Sequence, residues 1–153
     1  MELMKAGMKA PEFSLKDQKS QSIKLSDYRG KTVLLSWHPL AWTSVCLDQM
    51  RSLETNWERF QELGTVPFGA SVDTVPSKKI WAEAIAIQKV SLLCDFWPHG
   101  KVAEEYGIFN EKLGFSERAN IIVDGEGTVR WVKVYPISQL PDIQEVLQAI
   151  RGL

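Results

Sequence analysis

Cys46 is the side chain of this sequence best placed to act as a nucleophile. It follows an apolar run, Thr32–Trp37, and stands near the start of an amphipathic pattern. The thiolate, not the thiol, is the nucleophilic form, and a helix N-terminus can lower a cysteine pKa from about 8.5 to roughly 3.5–7.5. A lone cysteine is otherwise a small buried apolar side chain, so both interpretations stand until its neighbours are considered.

The spacing Pro-x-x-x-Thr-x-x-Cys, from Pro39 to Cys46, favours the chemical interpretation. Thr43 lies three residues before the sulfur, so its hydroxyl can share the first helical turn, and Thr43 or Ser44 can cap that helix. Pro39 fixes the direction of the chain. The free amides of Val45 and Cys46 are then expected to point at the site as donors.

The pattern of apolar residues predicts strands that alternate with helices. In order, the predicted elements are a hairpin at 13–15 and 23–25, a strand at 32–37, a helix from about Ser44 to Leu63 closed by Gly64, a strand at 66–72, a helix opened by Pro76, a strand at 90–93, a helical turn at 101–106 ending at Gly107, a hairpin at 120–123 and 128–135, and a helix after Pro141. We expect residues 1–153 to form a single domain, a three-layer α/β sandwich with a central mixed sheet. Its ligands are expected beyond the carboxyl ends of the strands, where Cys46 lies.

The composition of the chain indicates which binding partners and which cellular compartment to expect. The net charge of −1 offers no basic field for nucleic acid and no acidic field for a cationic partner. The N-terminal residues show no signal peptide, and no apolar stretch reaches the roughly 20 residues of a membrane span. Two cysteines do not make a disulfide scaffold, so a reducing cytoplasm is expected.

Pro39, Thr43 and Cys46 match the active-site motif of the peroxiredoxins, the alkyl hydroperoxide reductase and thiol-specific antioxidant family. The resemblance covers nearly the whole chain and includes Ala10–Phe13, Asp27–Lys31, and Arg118 with the strand that ends at Asp124. Within the family, the stretches Leu93–Gly100 and Tyr106–Asn110 look most like the one-cysteine AhpE-type branch.

The resemblance implies a thioredoxin-like α/β fold with an N-terminal β-hairpin, and an enzyme that reduces hydrogen peroxide and organic hydroperoxides. Cys46 would attack a peroxide oxygen and become a sulfenic acid. Thr43 would hydrogen-bond the sulfur and the peroxide, and Pro39 would shield the pocket from water. Arg118 would hold the thiolate and stabilise charge as the O–O bond breaks. Without the resemblance, an arginine that begins a strand is a solvated edge residue.

The resemblance extends to one supporting residue and to assembly. Gln49 stands where the family often has a glutamate, so we expect it to orient Arg118; the alternative is an exposed helical glutamine. A homodimer packed through the edge near the active-site loop is also implied.

Cys94 raises the question of how the sulfenic acid returns to the thiol. The resolving position five residues after Cys46 is Arg51, and residues 125–153 contain no cysteine. The Cys94 strand is expected two strands from the one before Cys46, roughly 10 Å away, which is beyond the ~7 Å Cα limit of a disulfide. A one-cysteine cycle with an external thiol reductant is therefore preferred, and Cys94 as a resolving residue after local unfolding stays as the alternative.

Two other functions make different demands on the sequence. A disulfide reductase would need a Cys-x-x-Cys pair, which Cys46 does not form. A non-catalytic thioredoxin-fold redox-sensing module would tolerate loss of Thr43 or Arg118, yet both are present.

The sequence does not favour a metal or cofactor site. Four residues could be imagined as a zinc set but lack paired spacing: His38, Cys46, Cys94 and His99. Aromatic packing is the simpler role for His38, and no nucleotide, flavin, haem or metal motif predicts a cofactor. Three aromatic residues are expected either in a hydrophobic collar or dimer contact, or in the core: Trp42, Trp97 and Phe109.

Overall fold

The structure, a computed structural model, describes residues 2–153. Its strands are β1 (Ser14–Lys16), β2 (Ser22–Lys24), β3 (Thr32–Trp37), β4 (Thr65–Ser71), β5 (Ser91–Cys94), β6 (Phe109–Asn110), β7 (Phe115–Ser116), β8 (Arg118–Val123) and β9 (Val129–Tyr135). Its helices are α1 (Ser44–Thr55), α2 (Trp57–Glu62), α3 (Val75–Ala84), α4 (Lys101–Glu105) and α5 (Ile143–Arg151), with a 3₁₀ turn at Leu25–Tyr28.

A seven-stranded mixed sheet in the order β2-β1-β5-β4-β3-β8-β9 forms the centre of the fold. The strands β3, β4 and β5 are parallel, and each remaining pairing is antiparallel. The prediction of a mixed sheet with an N-terminal hairpin is confirmed, since Leu15 pairs with Ile23. The helical layers on both faces confirm the α/β sandwich.

Successive side chains of β3 point to opposite faces of the sheet and pack into two apolar cores, one on each face. Val33, Leu35 and Trp37 point into the core that α4 and the N-terminal segment cover. Leu34 points into the core formed by α1, α2, α3 and α5, and this second core also contains Cys46. The sheet therefore places the sulfur on the face that carries most of the helices.

The single helix predicted over 44–63 is wrong, because the structure breaks it into α1 and α2 at Asn56. The side-chain amide of Asn56 donates to the Ser52 carbonyl at 2.8 Å, and its backbone is non-helical at φ −99°, ψ 13°. Asparagine competes in this way for carbonyls that would continue a helix. Gly64, at φ +60°, closes the second segment as expected.

Two short features were not predicted. Leu25, expected at the end of a strand, is instead the first residue of the 3₁₀ turn, and its side chain is buried. The two-residue strands β6 and β7 form a separate ribbon, too short for any periodicity to show. Within residues 2–153, the structure contains no helix with the length and apolar character to cross a membrane.

The chain path explains why distant residues meet. The carboxyl ends of β3, β4 and β5 lie at one edge of the sheet because these strands are parallel. Since β8 runs antiparallel to β3, with Ala119 opposite Trp37, the start of β8 lies at that same edge. Arg118 is thereby brought to the residues that follow β3.

Candidate active site

Cys46 lies in the first turn of α1, fully buried in the second core. Thr43 is the N-cap residue of this helix. The prediction that the side chain of Thr43 or Ser44 caps the helix is wrong, because neither forms a capping hydrogen bond. The Thr43 hydroxyl instead donates to the Leu40 carbonyl at 2.8 Å, which closes the active-site loop, residues 38–43. The first-turn amides of α1 therefore have no side-chain acceptor within residues 2–153.

Arg118 contacts the sulfur directly. Its Nη1 lies 3.4 Å from Cys46 Sγ, and the residue is 2 % exposed. The other side of the guanidinium is held by one main-chain oxygen: Nε and Nη2 donate to the Ile137 carbonyl at 2.9 Å and 2.7 Å. The arginine is thus a buried, oriented donor, not a solvated edge residue.

Gln49 completes this contact from the next turn of α1. Its Oε1 accepts from Arg118 Nη1 at 2.8 Å, and its Nε2 donates to Ser36 Oγ at 2.8 Å and to the Trp37 carbonyl at 3.1 Å. The alternative of an exposed helical glutamine is wrong, because the side chain is buried. Its amide ties the guanidinium to β3.

A pocket of about 280 Å³ lies over this cluster, and its wall is mostly apolar. Its lining residues include Pro39, Thr43, Arg118 and Ile137. The structure gives Thr43 no hydrogen bond to the sulfur, and its hydroxyl proton is committed to Leu40. Its oxygen retains lone pairs, so toward a ligand in this pocket Thr43 is an acceptor.

His38 packs its ring against Trp81, with 5.3 Å between ring centroids, so the expected aromatic packing is confirmed. A second contact was missed: His38 Nε2 lies 2.7 Å from Nζ of Lys78, and both side chains are fully buried. The sequence held a signal for it, since Lys78 shares the spacing of the buried residues Trp81, Ala82 and Ile85 on one helical face.

Cys94 ends β5, two strands from β3 as predicted, and both cysteines are free thiols. Burial is the main cause that raises the pKa of Cys94 to about 11; Asp73 and Asp17 raise it further, and Lys78 opposes them. Its Sγ donates weakly to the Leu92 carbonyl at 3.7 Å. This sulfur is therefore protonated at neutral pH.

The imagined zinc set does not assemble. His38 faces Lys78, Cys46 faces Arg118, and His99 Nε2 lies 2.7 Å from the Gly114 carbonyl. Over residues 2–153 the structure shows no group of three or more histidine, cysteine or acidic side chains able to hold a metal ion.

The three aromatic residues expected in a collar or in the core have different environments. Trp42 is 55 % exposed and Trp97 is 80 % exposed, so core packing is wrong for both. Phe109 is half-buried against the first core. Trp42 lies within the active-site loop at φ +70°, in the left-handed region, and its Nε1 donates to Ser77 Oγ at 3.2 Å.

Comparison with known proteins agrees with this geometry. Residues 6–132 match the model of the AhpC/TSA family. The chain belongs to the AhpC/TSA family. It is similar to alkyl hydroperoxide reductase E of Mycobacterium tuberculosis, at 36% identity over 152 residues and 99% of each chain. It is also similar to a peroxiredoxin of Thermoplasma volcanium, at 35% identity over 96% of this chain and 73% of the relative.

Solved structures share the architecture. The reduced 2-Cys peroxiredoxin of Plasmodium vivax superposes with a TM-score of 0.88 at 25% identity, covering 95% of this chain and 80% of the other. AhpC of Enterococcus faecalis has the same fold, with a TM-score of 0.89 at 23% identity over 99% and 92% of the two chains. The fold is thioredoxin-like, and the chain is a thiol-dependent peroxidase of the peroxiredoxin type.

Proposed function

We propose that Cys46 is the peroxidatic cysteine and that it reduces peroxides in a one-cysteine cycle. The contact that carries the proposal is the one between Cys46 Sγ and Arg118 Nη1, held in place by Gln49 and by the Ile137 carbonyl. Because the guanidinium is already held beside the sulfur before the reaction, it can stabilise the charge that develops in the transition state without first having to move. The relatives' names, alkyl hydroperoxide reductase E and peroxiredoxin, support hydrogen peroxide and organic hydroperoxides as substrates.

The chemical step follows from this arrangement. The Cys46 thiolate attacks one peroxide oxygen; an S–O bond forms, the O–O bond breaks, and the leaving oxygen takes a proton to become water or an alcohol. Arg118 stabilises the charge that moves onto the leaving oxygen, and the Thr43 oxygen accepts a hydrogen bond from the peroxide. Pro39, buried beside the pocket, excludes water from the sulfur.

The return of the sulfenic acid to the thiol requires two equivalents of external thiol. The first forms a mixed disulfide with Cys46 and releases water; the second releases Cys46 and forms the disulfide of the reductant. Cys94 is poorly suited to replace the first thiol, because its raised pKa leaves little thiolate and its strand lies two positions away in the sheet. A thioredoxin-like or glutaredoxin-like protein, or a small thiol, is the class of reductant, and the free thiols favour a cytoplasmic setting.

Peroxide consumption with excess dithiothreitol tests the assignment of the nucleophile. The Cys46→Ser protein is expected to lose the reaction, whereas Cys94→Ser, the matched control, keeps the rate of the parent. Equal rates for the parent and Cys46→Ser would remove Cys46 from the mechanism.

Mass spectrometry after stoichiometric peroxide tests the cycle. One retained thiol and a trapped sulfenic acid are expected. Loss of both thiols to an internal bridge between Cys46 and Cys94 would replace the one-cysteine cycle with the two-cysteine alternative.

We also propose that the chain forms a homodimer through the surface beside the active-site loop. This loop surface consists of three exposed apolar side chains, and Trp42 is anchored to α3 at Ser77. Its members are Leu40, Trp42 and Ile80. Exposed apolar side chains on two segments that contact each other, here the active-site loop and α3, are typical of contact surfaces between subunits.

A further inference from the structure

Asp73 lies between β4 and α3, and its carboxylate is tied to the active-site loop. One carboxylate oxygen, Oδ2, accepts from the backbone amide of Ala41 at 2.8 Å and from the hydroxyl of Ser71. Ser71 is the last residue of β4 and is fully buried, so its hydroxyl fixes the carboxylate to the sheet. Hydrogen bonds to a carboxylate are roughly twice as strong as those between neutral groups. Asp73 is therefore a firm anchor for the loop.

The amide of Ala41 belongs to the same peptide group as the carbonyl of Leu40. The N–H of this group donates to Asp73, and its carbonyl accepts from the Thr43 hydroxyl at 2.8 Å. The peptide bond is trans, so its C=O and N–H point in opposite directions within one plane. Asp73 and Thr43 thus hold a single rigid group from its two ends, and rotating the group would break both contacts.

The orientation of this peptide group decides what Thr43 can do in the pocket. While the Leu40 carbonyl faces it, the Thr43 hydroxyl uses its only proton there and presents its lone pairs as acceptors. Arg118, which also lines the pocket, is only a donor. A hydroperoxide carries both an O–H donor and oxygen acceptors, so one acceptor and one donor in the wall match it.

Asp73 also makes the Leu40 carbonyl a better acceptor. An N–H that donates to a carboxylate is polarised, and hydrogen bonds linked through one peptide group strengthen each other. The chain of contacts runs without a gap from Ser71 through Asp73 and the Leu40–Ala41 peptide group to Thr43. The end of β4 is thereby connected to the pocket, although Asp73 does not line it.

We propose that Asp73 is a positioning residue that sets the direction of the Thr43 hydroxyl through the Leu40–Ala41 peptide group. Thr43 then meets a peroxide as an acceptor, and Arg118 meets it as a donor. The proposal rests on the proposed reaction at Cys46 and on the role of Thr43 in it. Asp73 acts only through the loop.

A double-mutant cycle with Thr43→Val tests whether Asp73 acts through the Thr43 hydroxyl, because valine keeps the shape of threonine and removes only that group. The rate constant for oxidation of Cys46 by hydrogen peroxide is measured in the Cys94→Ser protein, in which Cys46 is the only thiol. Asp73→Ala is expected to lower this constant about tenfold when Thr43 is present, and by less than about twofold after Thr43→Val.

Asp73→Asn separates the hydrogen bond from the charge. Its amide oxygen can still accept from Ala41, so it should recover part of the rate that Asp73→Ala loses. If Asp73→Ala does not fold, the cycle is run with Asp73→Asn, whose smaller effect should likewise vanish after Thr43→Val. Asp48→Asn is the matched control, because it removes the same charge from an exposed position on α1, and it should react like the parent.

Equal effects of Asp73→Ala with and without the Thr43 hydroxyl would overturn the proposal, because Asp73 would then support the loop in general. A parental rate constant in Asp73→Ala would overturn it as well. So would an NMR shift of the Ala41 amide proton that is the same in the parent and in Asp73→Ala, since the hydrogen bond would then be absent. None of these results removes the proposed function, which only an active Cys46→Ser protein would do.

Discussion

Arg118 has five N–H donors, and four of its hydrogen bonds are set before any substrate arrives. Two go to the Ile137 carbonyl, one to Cys46 and one to Gln49. One N–H of Nη2 has no hydrogen-bond partner within residues 2–153. In the proposed mechanism, the guanidinium could therefore bind Cys46 Sγ and a peroxide together without changing its other contacts.

Gln49→Leu should test how far the arginine depends on its amide partner. Leucine fills a similar volume but leaves the Trp37 carbonyl and one Arg118 N–H without this partner. We expect a loss of about 2 kcal/mol in the free energy of unfolding, measured by urea denaturation. The kcat/KM for peroxide should fall about tenfold or more, because Arg118 is less well positioned.

Gln148→Leu is the control for this experiment, since Gln148 is exposed on α5. Its stability and kcat/KM should stay close to those of the parent. A Gln49→Leu protein with parental kcat/KM would show that the Ile137 carbonyl alone orients the guanidinium.

At this scale, sequence reasoning predicted motif residues better than their surroundings. Cys46 and Arg118 carry a family motif, and the structure brings them within 3.4 Å. The burial of Gln49 was not predictable from residue type, because an amide on a helix is exposed unless tertiary contacts satisfy both its ends. Lys78 was missed because a lysine is expected in solvent, although its helical position already indicated the core.

Among the elements, periodicity identified the strands and most of the helices. The continuous apolar run of β3 and the alternation in β1 and β2 are local signals that the sheet preserves. The break between α1 and α2 depends on a single residue. The side-chain amide of Asn56 donates to the Ser52 carbonyl and so competes with the backbone hydrogen bonds of a continuous helix. The apolar spacing continues across it, so the pattern alone predicted one helix.

The end of α4 depends on a glycine that packs against the N-terminal segment. Gly107 has φ +75°, and an added Cβ would overlap the main chain of Glu2 and Leu3. Gly107→Ala should therefore lower the free energy of unfolding by the cost of the left-handed backbone, about 1–2 kcal/mol, plus roughly another 1–3 kcal/mol for the overlap. Thermal or urea unfolding measures the sum.

Gly114→Ala separates the two contributions. Gly114 has a similar φ of +77°, but nothing lies within 4 Å of an added Cβ. It should lose only the backbone part. Equal losses in the two variants would mean that the segment around Glu2 moves aside at little cost.

For the molecule as a whole, a second copy could join at the loop surface or at an edge strand of the sheet such as β9. Light scattering of the parent is expected to give about twice the 17.3 kDa of one chain. Ile80→Glu places a charge in the loop surface and should reduce the mass to that of a monomer. Ile80 is 52 % exposed, so the monomer itself should fold normally.

Val134→Glu is the counterpart on β9, where Val134 is also exposed. It should leave the mass of the dimer unchanged. A monomeric Val134→Glu protein beside a dimeric Ile80→Glu protein would move the interface to the sheet edge, and a parent of about 17 kDa would remove the dimer.

The two hydrogen bonds from Arg118 to the Ile137 carbonyl limit how the segment after β9 can vary. The acceptor is a main-chain oxygen, so it is present whichever amino acid stands at position 137. What matters is the number of residues between Tyr135 and the following helix, because an insertion or deletion there would carry the oxygen away from the guanidinium. The amino acids of this stretch can therefore vary, whereas its length cannot.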